Sequence, residues 1–503
     1  MLNPLTTDPG ELEGLLSLDR FERVDGLRLT VGEALKHPHN PVLPLGDLHE
    51  WDSLHARPWQ GRTILFDPTD RLFKCWYDGT DLSTERWWAT GYAESRDGVH
   101  WVKPKLGIHT YNGNTSNNIC LFGWGPIVKD DAESDPKKRF KMLLSTKSFT
   151  TSVEGASRPP AIRFAYSSDG IHWTEGREFS LPAWHGERPD VVALICDESD
   201  PDTHRRFKLI WQGRVPSNKW GPAKVRAKYL SYAAEFEGPY ITAPTAVLDP
   251  RESSEHENHF VMLAPYGGGY VMPYEYGWYV PDGTGKYGRY ISDIRLAVSL
   301  DGERFHRVNT HEPLLRRGPR GTWDDGFLVI ADKPVVRDDG IYMFYAGCGE
   351  DWTSWMGDNR SPEYRWESTG TVRRSQMGLA TLRPDGYTYL AAPDRETPGI
   401  AVTAPIRITD RDTTVWLNAS DTADRRGWVD VEVLGPSGDS PIDGFAWTDG
   451  GRMSHDGTRV AVNWGTRGIG DIPGDVFRLR LRLVGPARLY AFGFESLSLQ
   501  GRG

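Results

Sequence analysis

A short phrase, Ser-x-Asp-Gly-x-x-aromatic, is written three times in this chain: "SRDGVHW" (Ser95–Trp101), "SSDGIHW" (Ser167–Trp173) and "SLDGERF" (Ser299–Phe305). The aspartates Asp97, Asp169 and Asp301 are separated by 72 residues and then by 132, twice 66. A missing copy is expected near residue 235, where "SYAAEFEGPY" (Ser231–Tyr240) reads as a degraded one. Asp-Gly between alternating apolar runs marks a hairpin, because Gly takes positive φ without strain. A second phrase recurs half a unit earlier, in "DPTDRLFKCWYDG" (Asp67–Gly79), "DPKKRFKMLLS" (Asp135–Ser145) and "DPDTHRRFKLIWQG" (Asp200–Gly213). Its aspartates are 68 and 65 residues apart. Two phrases with one period define a repeat architecture.

Between residues 47 and 395 each unit reads as four short strands with turn residues between them, which predicts a β-propeller. The span divided by the period is a little over five, so five blades are expected. Residues 1–46 mix a short helical pattern, "ELEGLLSLDRF", with a Pro-rich lead-in and read as a surface strap. Blade five is expected to end in "QMGLATLRPDGYTYL" after a polar insertion from about Gly349 to Ser375. A loop of that length in a compact repeat is more often functional than not. Residues 396–503 alternate apolar and polar between Gly and Pro turns, as in a β-sandwich. The fold class predicted is therefore all-β: a five-bladed β-propeller followed by a C-terminal β-sandwich.

The formal net charge of -10 and the absence of a basic block argue against a nucleic-acid partner. The longest apolar runs are strand-sized, so no membrane span is expected. The N-terminus has neither a basic start nor an apolar stretch, which reads as cytoplasmic. The four cysteines lie far apart in apolar strand patterns and read as buried free thiols. Twenty Trp and twenty Tyr suit a sugar site, where ring faces stack on C–H edges, and equally suit aromatic packing between blades.

In a propeller the innermost strands line a central funnel, so residues just before them converge at its mouth. Blade one is preceded by Trp51 and Asp52, blade three by Arg188 and Asp190, and blade four by Glu255 and Glu257. Blade five opens with Trp323, Asp324 and Asp325. Blade two has no carboxylate before its first strand; Asp130 and Asp131 follow it. A carboxylate beside a strand is ordinarily a turn or cap residue, and the repeated-turn aspartates read as structural. Glu255 and Glu257 share a strand face, so alternation does not separate them; Glu257 lies nearer the inner strand. His256 and His259 would point to opposite faces, and the Gly267–Gly269 run is a hairpin with no helix after it. No metal or cofactor is expected.

The propeller, the "S-x-DG-x-x-W" turns and the C-terminal sandwich together resemble the furanosidase superfamily of glycoside hydrolase families 32, 43 and 68. The likeness is nearest to family 32-like bacterial proteins, through "YAESRDGVHWVKPKLG" and "NNI". That resemblance implies three carboxylates at the mouth, an Asp opening blade one, an Asp opening blade three and a Glu opening blade four. Asp52, Asp190 and Glu257 occupy those openings. The chain departs from family 32 in lacking "W-M-N-D-P-N-G" and the "E-C" pair, and in having "ERPD" for "RDP".

Glycosidic cleavage needs one protonated and one ionised carboxyl on opposite faces of the sugar. The expected roles are Glu257 as general acid, Asp52 as nucleophile or water-activating base, and Asp190 as transition-state stabiliser oriented by Arg188. Trp51, Arg188, Glu255, Trp323, Asp324 and Asp325 are the expected substrate-binding residues. The function expected is hydrolysis of a furanosidic linkage, a fructoside or arabinofuranoside, in an oligosaccharide or glycoside. The alternatives are a fructotransferase-type enzyme of the same fold and a non-catalytic glycan-binding propeller.

Overall fold

The computed structural model describes residues 5–7, 12–59, 61–81, 89–146, 161–252, 254–281, 289–349, 375–394, 396–422 and 426–496. Within them the chain is all-β, relieved only by short 3-10 turns, and no helix is long and apolar enough to cross a membrane. Four sheets carry the five blades. Three are four-stranded: Ile127–Lys129 to Thr174–Glu178, Val191–Cys196 to Ile241–Thr242, and Ala264–Tyr266 to His306–Arg307. Blades one and five are joined into a single sheet by a parallel bridge, Ser375 with His55 and Gln376 with Ala56.

Both repeated phrases prove to be packing devices. In each Ser-x-Asp-Gly turn the Ser Oγ accepts the Gly N–H, at 2.9 Å for Ser95 and 2.8 Å for Ser167. The Asp Oδ1 accepts two backbone N–H groups further on, as Asp97 does from Val99 and His100, both at 2.8 Å. Such bonds favour the charged carboxylate, and Asp169 sits at about 2: burial works upward and is outweighed by His172, Ile171 and Ser167. The fourth, degraded copy also occupies the link between third and fourth strands, with Gly238 donating to the Glu235 carbonyl at 2.9 Å. The second phrase carries a buried ion pair across the hairpin from first to second strand. Lys74 meets Asp67 at 2.9 Å, Lys141 meets Asp130 at 2.7 Å, and Lys208 meets Asp197 at 2.9 Å.

At the axis the first strands meet backbone to backbone. Asp332 donates its N–H to the Arg62 carbonyl at 3.1 Å, and Leu263 donates to the Asp332 carbonyl at 3.0 Å. Thr63 Oγ1 accepts the Ile127 N–H at 2.8 Å. Above them Trp59 packs on Phe260 of blade four and Phe327 of blade five, with ring centroids 5.5 and 6.1 Å away. Arg57 lies over the same indole at 3.9 Å.

The N-terminal segment differs from the expected strap. Leu35–Lys36 pairs with Ala380 and Thr381 and is the fourth strand of blade five. Leu12–Gly14, Phe21–Asp25 and Arg28–Val31 pair into the sandwich sheets, so the helical pattern read there is overruled by strand pairing. The expected last strand of blade five, Thr388–Ala391, also belongs to the sandwich, paired with Arg28–Val31 and with Arg488–Ser496. Short strands with two or three apolar positions carry too little periodicity to be assigned to a sheet from sequence. The expected insertion, 350–374, lies outside the described residues. All four cysteines are free thiols; Cys75, Cys120 and Cys348 are buried, and Cys196 is partly exposed.

Candidate functional site

Two of the expected openings carry the same device. Trp51 packs on Tyr77 with centroids 5.5 Å apart, and Trp323 packs on Tyr345 at 5.8 Å. Asp52 Oδ2 accepts from Tyr77 Oη at 2.6 Å and from Lys103 Nζ at 2.5 Å. Asp324 Oδ2 accepts from Tyr345 Oη at 3.0 Å and from Lys36 Nζ at 2.5 Å. Asn118 donates to Tyr77 Oη at 2.7 Å, as Asn40 does to Tyr345 Oη at 3.2 Å. Gly79 and Gly347 make room for the indoles: a Cβ there would lie 2.2 Å from Trp51 and 2.4 Å from Trp323. Asp52 and Asp324 are each 2 % exposed. Each lysine comes from the outer edge of its own blade, Lys36 from the fourth strand and Lys103 from just past it. Each Trp-Asp pair thus fastens a blade opening to the edge of its sheet. Asp325 does local work too, accepting the Gly321 N–H at 2.5 Å to close the turn.

Blades three and four are arranged differently. Arg226, on the third strand of blade three, gives its N–H to Glu257 Oε2 at 3.0 Å and its Nη1 to Glu257 Oε1 at 3.1 Å. Asp190, half-buried at the opening of blade three, adds to the field that holds Arg226 above the usual guanidinium range. Burial works against that charge and is outweighed by Glu257, Tyr279, Tyr290 and Asp190. Arg226 thus binds Glu257 directly, while Asp190 reaches it only as the weakest of the charges that favour the cation. Arg188 is exposed on the approach to Asp190.

Glu255 is caged separately. It is fully buried, accepting from Arg307 Nη2 at 2.8 Å and from Asn258 Nδ2 at 3.3 Å. Burial pushes it up to about 7 against the pull of Arg307. From Asn258 the polar chain continues: Lys228 Nζ donates to Asn258 Oδ1 at 2.8 Å and to Gln212 Oε1 at 3.2 Å. Burial, and then the charge of Arg226, push Lys228 down to about 7. Gln212 is half exposed, and its N–H donates to the Asp190 carbonyl at 2.9 Å. The chain thus runs from a carboxyl that keeps its proton toward neutrality to the edge of Asp190.

An aromatic rim stands over this cluster. Trp220, on the hairpin between Phe207–Pro216 and Lys224–Ala233, is 49 % exposed. It meets His256 and Tyr279 edge-on, at 6.4 and 6.2 Å. Lys219 ties the hairpin to the blade-four opening through the carbonyls of Pro250, at 2.8 Å, Glu252 and Glu255, at 2.5 Å. Sequence reading passed over Arg226, Lys228 and Trp220. Arg226 and Lys228 carried a signal: with Lys224 they alternate along one face of a single strand, a face on which Leu230 and Tyr232 follow them.

No protein-family model matches the chain, and no curated protein matches it. Among solved structures it is similar to one described as "The GH130 family of mannoside phosphorylases contains glycoside hydrolases that target beta-1,2 mannosidic linkages in Candida mannan". That likeness has 15 % identity and a TM-score of 0.45, over 73 % of this chain and 97 % of that one. It is also similar to a glycosyl hydrolase from Bacteroides ovatus, at 14 % identity and a TM-score of 0.46, over 71 % of this chain and 95 % of that one. A third is a glycoside hydrolase family 43 arabinoxylan arabinofuranohydrolase from Bacillus subtilis, at 12 % identity and 0.38, over 92 % and 99 %.

Proposed function

We propose that the chain is a glycoside hydrolase working at the junction of blades three and four. The observation that carries this reading is the Arg226–Glu257 pair, next in the chain to His256, on which the exposed ring of Trp220 packs edge-on. Paired carboxylates beside an aromatic surface suit a sugar whose C–H face stacks while its glycosidic oxygen is protonated. In this reading Asp190 and Glu257 are the working pair, and Arg226 is bonded to Glu257. For Glu257 to act as acid, Arg226 must release it and the freed carboxylate must take up a proton from solvent, which it passes to the leaving oxygen as the glycosidic bond breaks. Glu255 is the nearby carboxyl that still holds a proton near neutral pH. Asp52 fastens blade one in place of acting as nucleophile. Furanosides, fructosides or arabinofuranosides, are the proposed substrate class, on the resemblance set out from the sequence.

The test is hydrolysis of aryl arabinofuranosides, fructosides and pyranosides by the wild type, Asp190→Asn, Glu257→Gln and Asp52→Asn. Each of the first two variants is expected to lose activity by ~10²–10⁴-fold, the usual contribution of a positioned acid or base. Asp52→Asn is expected to lose stability more than turnover. Activity that survives both Asp190→Asn and Glu257→Gln removes the reading.

A non-catalytic glycan-binding propeller is the second reading, favoured by the enclosure of Glu257, which is 1 % exposed in this state. Saturable glycan binding without product release, seen by calorimetry and proton NMR on one sample, selects it.

A further inference from the structure

A cleft opens where the outer edge of blade five faces the sandwich. Strand alternation builds one wall. Thr388–Ala391 and Arg488–Ser496 pair side by side, with Leu390 opposite Leu489. Those two leucines are fully buried in the sandwich core. Tyr389, Arg488 and Tyr490 therefore stand on the other face of the sheet and line the cleft. The opposite wall is Leu35 and Thr381, paired across the outer strands of blade five, with Glu312 and Arg316 from the link between blades four and five. Backbone bonds fix these segments together. Gly32 donates its N–H to the Tyr387 carbonyl at 2.8 Å, and Ala34 donates to the Leu314 carbonyl at 2.7 Å. The space between the walls is about 390 Å³, toward the lower end of the ~300–1,000 Å³ of ligand clefts.

The walls mix donors, acceptors and apolar surface. Arg383 lies over the Tyr490 ring at 4.3 Å, and Arg488 lies over the Tyr389 ring at 5.1 Å. Stacking holds each guanidinium through its face and leaves hydrogen bonding to its edge. Arg316 Nε stands 3.5 Å from Glu33 Oε1, both largely exposed, a contact too long to use up either group. Charge decides the class of ligand. Arg316, Arg383 and Arg488 are balanced by Glu33, Glu312 and Asp421, which meets Arg488 Nε at 3.2 Å. A polyanion gains little net Coulomb energy in such a cleft. A ligand rich in hydroxyls gains more, because each hydroxyl donates and accepts and is served by neighbouring guanidinium and carboxylate groups. Leu35, 67 % exposed, and the half-buried Tyr389 ring supply apolar surface for sugar C–H edges.

We propose that this cleft is a second saccharide site, which holds a neutral stretch of the polysaccharide cut at the blade three and four mouth. The kind of ligand rests on the glycoside hydrolase reading; the location does not. None of the lining residues belongs to the Arg226–Glu257 cluster. The cleft tethers the substrate chain and raises its effective concentration without touching the bond that breaks.

The test is calorimetric titration of a full-length chain carrying Trp220→Ala and Glu257→Gln, which disables the mouth and leaves the cleft. The probes are arabinofuranosyl, fructofuranosyl and galacturonosyl hexasaccharides. One of the two neutral probes is expected to bind saturably, and the acidic one more weakly. Adding Arg316→Ala with Glu312→Ala should weaken that binding about tenfold, and so should adding Tyr389→Ala, the cost of a charged hydrogen bond or a stacking contact. Arg316 and Glu312 are exposed, so their double variant keeps the fold if Tyr389→Ala does not. No saturable binding of either neutral probe, affinity unchanged in the double variant, or tighter binding of the galacturonate overturns the proposal. A wild type that hydrolyses no aryl glycoside while the cleft still binds a neutral probe overturns the hydrolase reading alone and leaves the saccharide site standing.

Discussion

Glu255→Gln separates a proton-holding carboxyl from an ordinary ion pair. The side chain is fully buried, and its rise from 4.5 to about 7 corresponds to about 3 kcal/mol between the two protonation states. The folded chain binds this proton more tightly than the unfolded chain. The stability it contributes is therefore complete below about 4.5, the unfolded value, and is lost as pH rises through about 7. Between those limits the slope is about 1.4 kcal/mol per pH unit. Asp332, at the axis, is also raised to about 7, by burial against Lys333, and acts in the same direction. Glutamine keeps the shape and an acceptor for Arg307 but cannot titrate. Urea unfolding at half-unit steps from pH 5 to 7.5 should show the variant losing about half of the wild-type decline, with the Asp332 part remaining. Parallel wild-type and variant curves across that window would refute the reasoning, because they would mean that Glu255 is ionised throughout and its cage is an ordinary salt bridge.

Lys36→Met leaves the buried Asp324 with Tyr345 and Thr322 as its hydrogen-bond donors, and Lys36 is itself 27 % exposed. Discounted for that exposure, the loss should be about 2 kcal/mol in urea unfolding, partly restored by adding Asp324→Asn. Gly347→Ala forces a Cβ to within 2.4 Å of the Trp323 ring and should cost about 1–3 kcal/mol, seen as a lower unfolding midpoint. Lys228 is depressed from 10.5 to about 7, so the unfolded chain binds the extra proton between those values and stability rises with pH there. Lys228→Met should abolish that alkaline rise in urea unfolding carried from pH 7 to 10.5. Trp220→Ala should raise KM about tenfold with little change in kcat, because an exposed stacking face contributes equally to ground and transition states.

The propeller was legible because its turns are chemically obligatory. A Ser and an Asp satisfy several backbone N–H groups where the third strand meets the fourth, and that device recurs in blades one, two and four. The sandwich was legible from its later strands, such as Thr413–Ser420 and Val476–Val484, which are long enough to show alternation. The strands of the first 36 residues were not, since pairing partners up to residue 493 decide their state. At the mouth, position along the chain located the openings but said nothing of their cages. Glu255 and Glu257 are two residues apart, yet one is held by Arg307 of its own blade and the other by Arg226 of the blade before. Trp51-Asp52 looked special until Trp323-Asp324 proved to be its structural twin, down to the Tyr-x-Gly of the neighbouring strand.

Blade five takes its edge strand from residues 35 and 36, which lie 346 and 344 positions ahead of their partners at 381 and 380. On a ribosome adding ~5–20 residues each second, that edge waits roughly 20–70 s before anything exists for it to pair with. The sandwich imposes a longer delay, since Leu12 meets Gly493 only after a further 481 residues have been added. The propeller, whose strands lie between residues 35 and 382, can therefore close before the sandwich, which draws strands from as far on as residue 493. The nascent chain carries Leu12–Gly14, Phe21–Asp25 and Arg28–Val31 unpaired beside a finished ring until their partners arrive, so the two architectures mature one after the other.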